Sequence, residues 1–443
     1  MRFRQSRLIL SHATPMLIAQ LASMGMMVID TALLGHYGTE DLAAVAVGGG
    51  IYISVVFALV GILQAVAPTV AHLKGAKRDS EIAGALQQAF WLGLLLAIPG
   101  VIFLLNPDPL FALSHIEPGV EAKARGYLSM LACGMPATLL YRTFYSFCNA
   151  LGRPRPLMLI SLGGTLLHAV LAWTLVTGSW GGAALGVLGC GISNATVSWF
   201  TLLCGAGYMV FNSALASLHL LSAWQMPRLK PLRDLLRLGL PMGFSNFVEI
   251  SSFTLIALFV AQLGATVVAG HRIVANLAAL CYMLPLALAI ATLSQVGLAA
   301  GARDWLRARA SIGAGLLLAG GLSSLLGLVL WLVSKPLVEA YTGDVAVQTV
   351  SLALIGYVAI YQVFDAVQTV AAYSLRGYKI TFAPMLVHIG CFWGVGLFGG
   401  WWLAFHAAQP MGAAGFWIAS LLSLMLSAGL LGALLWRAVR ELQ

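Results

Sequence analysis

The sequence predicts an all-α polytopic membrane protein with twelve transmembrane helices in two pseudo-symmetric six-helix bundles and both termini cytoplasmic. Three observations point there. Of the 443 residues, 60% are hydrophobic and only 9% are charged, against about 25% charged in a soluble globular chain. Basic residues gather in alternate loops, and a set of Pro, Met and Gly positions recurs at constant spacing.

Taken in order, the apolar stretches lie at roughly 13–35, 46–71, 84–105, 126–148, 157–177 and 186–210. After a basic linker they continue at roughly 240–263, 272–299, 311–333, 350–373, 382–405 and 413–436. Each supplies the ~20 residues needed to cross a bilayer. The start, Arg2 to Arg7, could imitate a signal peptide, but the apolar run that follows outlasts an h-region and carries Asp30. It reads as an uncleaved first helix. Cys133, Cys148, Cys190, Cys204, Cys281 and Cys391 show no C-x-x-C spacing and read as small buried hydrophobes.

The formal charge of +9 would suggest nucleic acid in a soluble protein. Here it follows the rule that Lys and Arg collect on the cytoplasmic side. Arg2, Arg4 and Arg7, the turns at 74–78, 153–155, 303–309 and 376–379, the linker and the C-terminal tail hold most of the 24 basic residues. The opposite side has Lys123, Arg125, Arg272 and Lys335, and Arg142 lies inside the fourth helix. The expected partners of the basic loops are anionic membrane lipids, not nucleic acid.

Pro15-Met16 recurs as Pro241-Met242, Gly38 as Gly264, Gly75-Ala76 as Gly301-Ala302, and Gly186, Gly189 and Ile192 as Gly412, Gly415 and Ile418, each displaced by 226 residues. Because six helices separate the copies, equivalent helices run in the same direction. The reading is an N-terminal lobe at 1–210, a cytoplasmic linker at 211–239 and a C-terminal lobe at 240–443. Such two-lobed plans place a substrate site between the lobes near the midplane.

Of the 15 acidic residues, only Asp30, Glu249 and Asp365 fall well inside apolar helices. An ionised carboxylate there costs ~2.5–3.5 kcal/mol on insertion scales, so it is kept for an ion or proton pathway or paired within a bundle. Arg142 is the one basic residue placed well inside a helix, and one Arg cannot neutralise three acids. Tyr361 and Gln368 lie one turn either side of Asp365 and share its face. Glu249 is flanked in the same way by Ser245 and Ser252. Glu249, Asp365 and Tyr361 would form an oxygen-lined site for one hard cation, such as Na+, or a shared proton, with Asp30 a second proton or cation group in the N-terminal lobe. Candidate cavity residues are Gln20, Met27, Asn194, Ser252, Gln368 and His168. The bland alternatives are packing for the serines and Met27 and a satisfied core histidine for His168.

The segments VIDTALLGHYGTEDLAAVAVG, FVEISSF and YQVFDAVQTVAAYSLRGYK resemble the multidrug and toxic compound extrusion (MATE) family, NorM-type branch, over the whole chain. The resemblance implies two six-helix bundles facing a central cavity and export of drugs, mostly lipophilic organic cations, in antiport with Na+ or H+. It implies Asp30 as the N-lobe acid and Glu249, Asp365 and Tyr361 as the C-lobe cation group. No cofactor beyond the coupling ion is expected, and the chain is read as a monomer in a bacterial-type inner membrane. Where many NorM-type relatives carry asparagines around a proline in the fifth helix, this chain has His168-Ala-Val-Leu-Ala172. No H-E-x-x-H or other intramembrane enzyme motif occurs, and unpaired acids suit alternating access better than a channel filter. The rival reading is a flippase or exporter of a lipid-linked or other amphipathic metabolite with the same plan.

Overall fold

The computed structural model describes residues 2–114, 117–179, 181–216, 218, 220 and 224–441, and within them all regular structure is helical. The helices are α1 (Arg2–Tyr37), α2 (Thr39–Leu63), α3 (Val66–Gly75), α4 (Ile82–Leu105), α5 (Asp108–Ser114), α6 (Pro118–Ala150), α7 (Arg155–Thr177), α8 (Val187–Phe211) and α9 (Ser213–Ala216). The second half has α10 (Leu229–Val260), α11 (Ala265–Gly301), α12 (Trp305–Leu332), α13 (Ser334–Tyr341), α14 (Val345–Gly377), α15 (Phe382–His388), α16 (Gly399–Phe405) and α17 (Ala413–Glu441). A ten-residue π-helix, Ile389–Phe398, joins α15 to α16. Among the described residues eleven segments are long and apolar enough to cross a membrane. The 33-residue α6 is not among them, because Tyr127, Ser129, Pro136, Thr138 and Arg142 dilute its apolar stretch.

The chain forms two compact units whose edges fall inside α1 and α10. An N-terminal unit spans Ile18–Gly243; a C-terminal unit combines the segment up to Leu17 with everything from Phe244 onward. In the C-terminal unit that leading segment is held in part by Ser311, whose hydroxyl donates to Gln5 Oε1 at 3.2 Å.

In the N-terminal unit α6 packs against α2, α4 and α8, and α7 packs on α8. Lipid offers helices no hydrophobic contrast, so they associate through close approach of small residues. Gly239 and Gly243, four residues apart, meet α2 so closely that a Cβ at Gly239 would lie 2.2 Å from Ile62 O and one at Gly243 2.6 Å from Ala58 O. The stretch before α10 is clamped by α4. Gln87 donates to Leu220 O and accepts from Gln225 N, both at 2.9 Å. Gln88 donates to Met226 O at 2.9 Å and accepts from Arg228 N at 2.8 Å. Trp91 Nε1 adds a bond to Gln225 O. On the opposite end Lys123 bridges Asp41 at 2.7 Å and Glu40 at 2.9 Å, and Asp41 Oδ1 caps Val187 N.

In the C-terminal unit α14 is the central helix, in contact with α11, α12 and α17. Gly315 and Gly327 of α12 set two close approaches: added Cβ atoms would lie 2.4 Å from Thr292 Oγ1 and 2.4 Å from Ala359 O. The π-helix exposes carbonyls that neighbouring serines satisfy. Ser252 donates to Phe392 O at 3.1 Å and Ser423 to Cys391 O at 2.7 Å.

The repeat read from the sequence recurs in backbone detail. Lys77 and Arg303 both sit at positive φ, 58° and 56°, closing the same turn: Arg78 N bonds Leu73 O, and Asp304 N bonds Ala299 O, both at 2.9 Å. Gly186 and Gly412 likewise share φ of 54° and 56°, a conformation that favours glycine. The cysteines correct one expectation: Cys148, Cys190, Cys281 and Cys391 are buried, but Cys204 is half-buried and Cys133 is exposed.

Candidate functional site

Each unit builds a polar cluster around its intramembrane acids. In the N-terminal unit, α1 carries Asp30, which is only 5% exposed. His168 Nε2 of α7 lies 2.9 Å from Asp30 Oδ1, and Asn194 Nδ2 of α8 donates to Asp30 Oδ2 at 3.0 Å. The Cys190 thiol, one turn before Asn194, also bonds Asp30. Ser193 Oγ lies 2.9 Å from His168 Nδ1 and 3.3 Å from His168 O. His168, fully buried, thus has both ring nitrogens engaged, one of them by the acid. The order Asp30–His168–Ser193 is that of a nucleophilic triad, but Ser193 is wholly enclosed, so no substrate carbonyl can reach it.

In the C-terminal unit the two acids belong to one hydrogen-bonded chain. Gln368 Nε2 donates to Asp365 Oδ1 at 3.0 Å and to Thr369 Oγ1 at 3.1 Å. Thr369 bonds the Tyr282 hydroxyl, and that hydroxyl bonds Glu249. The two carboxylates are near enough to repel. Tyr361 is buried one turn from Asp365, within electrostatic reach of both acids, with its ring edge-on to Phe253 and Trp417. A small cavity at the π-helix is lined by Ser252, Phe253, Tyr361, Phe392 and Ser423.

Arg376 belongs to this cluster too. The sequence places it in a cytoplasmic turn and leaves Arg142 as the one basic group inside a helix; instead Arg376 is 3% exposed within α14. Its guanidinium lies over the Tyr373 ring, donates to Asn246 Oδ1 at 3.3 Å and acts on the charge of Glu249. The basic Arg376-x-x-Lys379 spacing reads as a loop signal, which hides this role.

Of the candidate residues, Asp30, His168 and Asn194 meet in one unit, and Glu249, Asp365, Tyr361 and Gln368 share the other. Ser252 is committed to the π-helix carbonyl. Gln20 has both amide atoms buried without a hydrogen-bond partner, and Met27 is 50% exposed. Tyr282, Thr369, Ser193 and Cys190 complete the clusters and are ordinary residues in sequence. The family model MatE matches residues 15–174 and again 241–402, two passes at the spacing of the internal repeat. The chain belongs to the MatE family.

MatE proteins of near-identical length are similar throughout. The chain is 56% identical over 435 residues, 98% of this chain and 94% of the relative, to the probable multidrug resistance protein NorM of Aromatoleum aromaticum. It is 35% identical over 427 residues, 96% of this chain and 93% of the relative, to the multidrug resistance protein NorM of Aliivibrio fischeri. Among solved structures the eukaryotic MATE transporter AtDTX14 superposes with a TM-score of 0.89 at 19% identity, over 100% of this chain and 98% of that one; at that identity the likeness speaks for the fold. The family identifies the chain as a multi-span membrane transporter of NorM type, not an enzyme.

Proposed function

We propose that this MatE transporter exports lipophilic organic cations by alternating access in antiport with Na+ or H+, with Glu249, Asp365 and Tyr361 as the coupling-ion group. The supporting observation is the chain of bonds that joins the two acids through Gln368, Thr369 and Tyr282. Gln368 Oε1 is buried beside Asp365 with no hydrogen-bond partner. Two carboxylates, a phenol and an orphaned amide oxygen are the donor set a hard monovalent cation takes. Arg376 holds one positive charge against two negative ones, so a cation or a proton balances the site. Relatives named for multidrug resistance support a drug substrate. An anionic lipid-linked substrate would call for cationic linings, whereas both clusters are built on carboxylates.

The proposal adds α6, fourth in chain order, to the eleven other spans to make twelve, and puts both termini on the cytoplasmic side of a bacterial inner membrane, because Lys and Arg concentrate in alternate loops of the sequence. The substrate path draws on Gln20, Met27, Asn194 and His168 in one unit and Ser252 and Gln368 in the other. The reading is tested by ethidium transport in proteoliposomes under independently imposed sodium and proton gradients. Uphill movement under at least one gradient is expected; transport that ignores both would defeat antiport.

A further inference from the structure

The Asp30 cluster holds more donors than an acid that shuttles its own proton can use. His168 Nε2, Asn194 Nδ2 and the Cys190 thiol all converge on Asp30, a set that a carboxylate accepts and that a protonated carboxyl group satisfies poorly. The imidazole is arranged differently. Its second nitrogen, Nδ1, faces Ser193 Oγ at 2.9 Å, and that same oxygen lies 3.3 Å from the His168 carbonyl. With the ring neutral, Ser193 O–H donates to the Nδ1 lone pair while Nε2–H donates to Asp30. When Nδ1 gains a proton, Nδ1–H donates to Ser193 Oγ, and the hydroxyl turns its own hydrogen to the His168 carbonyl. Both states satisfy the ring and the hydroxyl, and no heavy atom moves.

From this geometry we infer that His168 is the proton-carrying group of the N-terminal unit, with Ser193 as its two-position hydroxyl and Asp30 as the carboxylate that accepts from Nε2. The proton comes from water and is bound at Nδ1; no other bond is made or broken. Uptake changes the net charge of the Asp30–His168 pair from negative to zero, so the pair attracts an organic cation with the ring neutral and releases it with the ring charged. The other titratable groups facing the pair are Tyr127 of α6 and Cys190 of α8, with Tyr52 of α2 beyond Tyr127. Tyrosine and cysteine side chains are ordinarily uncharged near neutral pH; Asp41 acts on Cys190 from farther off. This rests on the antiport reading above and names the residue that carries its proton.

The test uses the full-length protein in lipid nanodiscs, 15N-labelled at histidine, with His168→Gln to assign the signal. The His168 ring should pass from the neutral Nε2–H form to the doubly protonated form as the pH is lowered. A ring that stays neutral at every pH at which the protein transports ethidium overturns the inference. In proteoliposomes, His168→Gln keeps a donor for Asp30 but cannot carry the proton, so ethidium transport driven by a proton gradient should fall ~10-fold or more, the change that one unit of proton affinity represents. Ser193→Ala removes the acceptor of the charged ring and should move the pH of half-maximal transport downward, which a packing role would not do. If wild type responds to the proton gradient and His168→Gln responds equally, His168 is structural and the antiport reading survives. If wild type ignores the proton gradient, proton coupling falls, and the role of His168 with it.

Discussion

Tyr282 ties Glu249 to Thr369: its hydroxyl donates to the carboxylate and accepts from the threonine, so the α10 acid is oriented from α11 and α14. A hydrogen bond to a charged group contributes about 1.5–3 kcal/mol. Tyr282→Phe should therefore weaken the apparent affinity for the coupling ion by roughly 10- to 100-fold, measured as the ion concentration that gives half-maximal ethidium transport. Unchanged ion dependence would remove Tyr282 from the coupling group.

The clamp on the stretch before α10 gives a second expectation. Gln88→Ala removes the bonds to Met226 O and from Arg228 N, each of which contributes about 0.5–1.5 kcal/mol net. The segment should open more often, and trypsin cleavage after Arg228 in the native protein should accelerate roughly tenfold, since proteolysis follows the open population. Cleavage at the wild-type rate would show that Trp91 and Gln87 hold the segment without it.

Two glycines on α12 provide an internal control for packing. Gly327 meets Ala359 O, whereas a Cβ at Gly321 meets nothing within 4 Å. Gly327→Ala should lower the thermal stability of the purified protein by about 1–3 kcal/mol, the usual cost of overpacking, and Gly321→Ala should not. Equal melting of the two variants would contradict the close approach of α12 and α14.

Orientation is tested by labelling. Single cysteines near Lys77 and Arg303 should be protected from impermeant thiol reagents in intact cells, and one near Asp344 should react. The opposite pattern would overturn the assignment from basic loops.

The three acids were legible in the sequence because a carboxylate in an apolar helix stands out at once. The repeat was legible because turns such as those at Lys77 and Arg303 demand the same backbone and so keep their neighbours. Their partners were not. Tyr282 and Thr369 are common residues in membrane helices, and only packing of α11 on α14 brings them to Glu249. His168 drew attention as a departure from NorM-type relatives, yet its bond to Asp30 spans 138 residues and no spacing encodes it. Arg376 was misplaced because a basic residue near a helix end reads as topology, although α14 runs on far enough to bury it. The adjacent Gln87 and Gln88 in an otherwise apolar helix were a usable signal for the clamp. The π-helix at Ile389–Phe398 has no sequence signature of comparable clarity.

The central claim is that Glu249 and Asp365 couple ion movement to export, each occupant favouring a different arrangement of the protein. A ligand shifts such a balance only by its differential affinity for the two states. Removing either charge should therefore uncouple transport rather than merely weaken drug binding. Glu249→Gln and Asp365→Asn preserve size and hydrogen bonding while abolishing titration. The deciding measurement is uphill ethidium transport by each variant in proteoliposomes under imposed sodium and proton gradients. Loss of uphill transport in both variants, with ethidium still bound, is the predicted result; wild-type pumping by both under both gradients would contradict the account and leave the two acids structural.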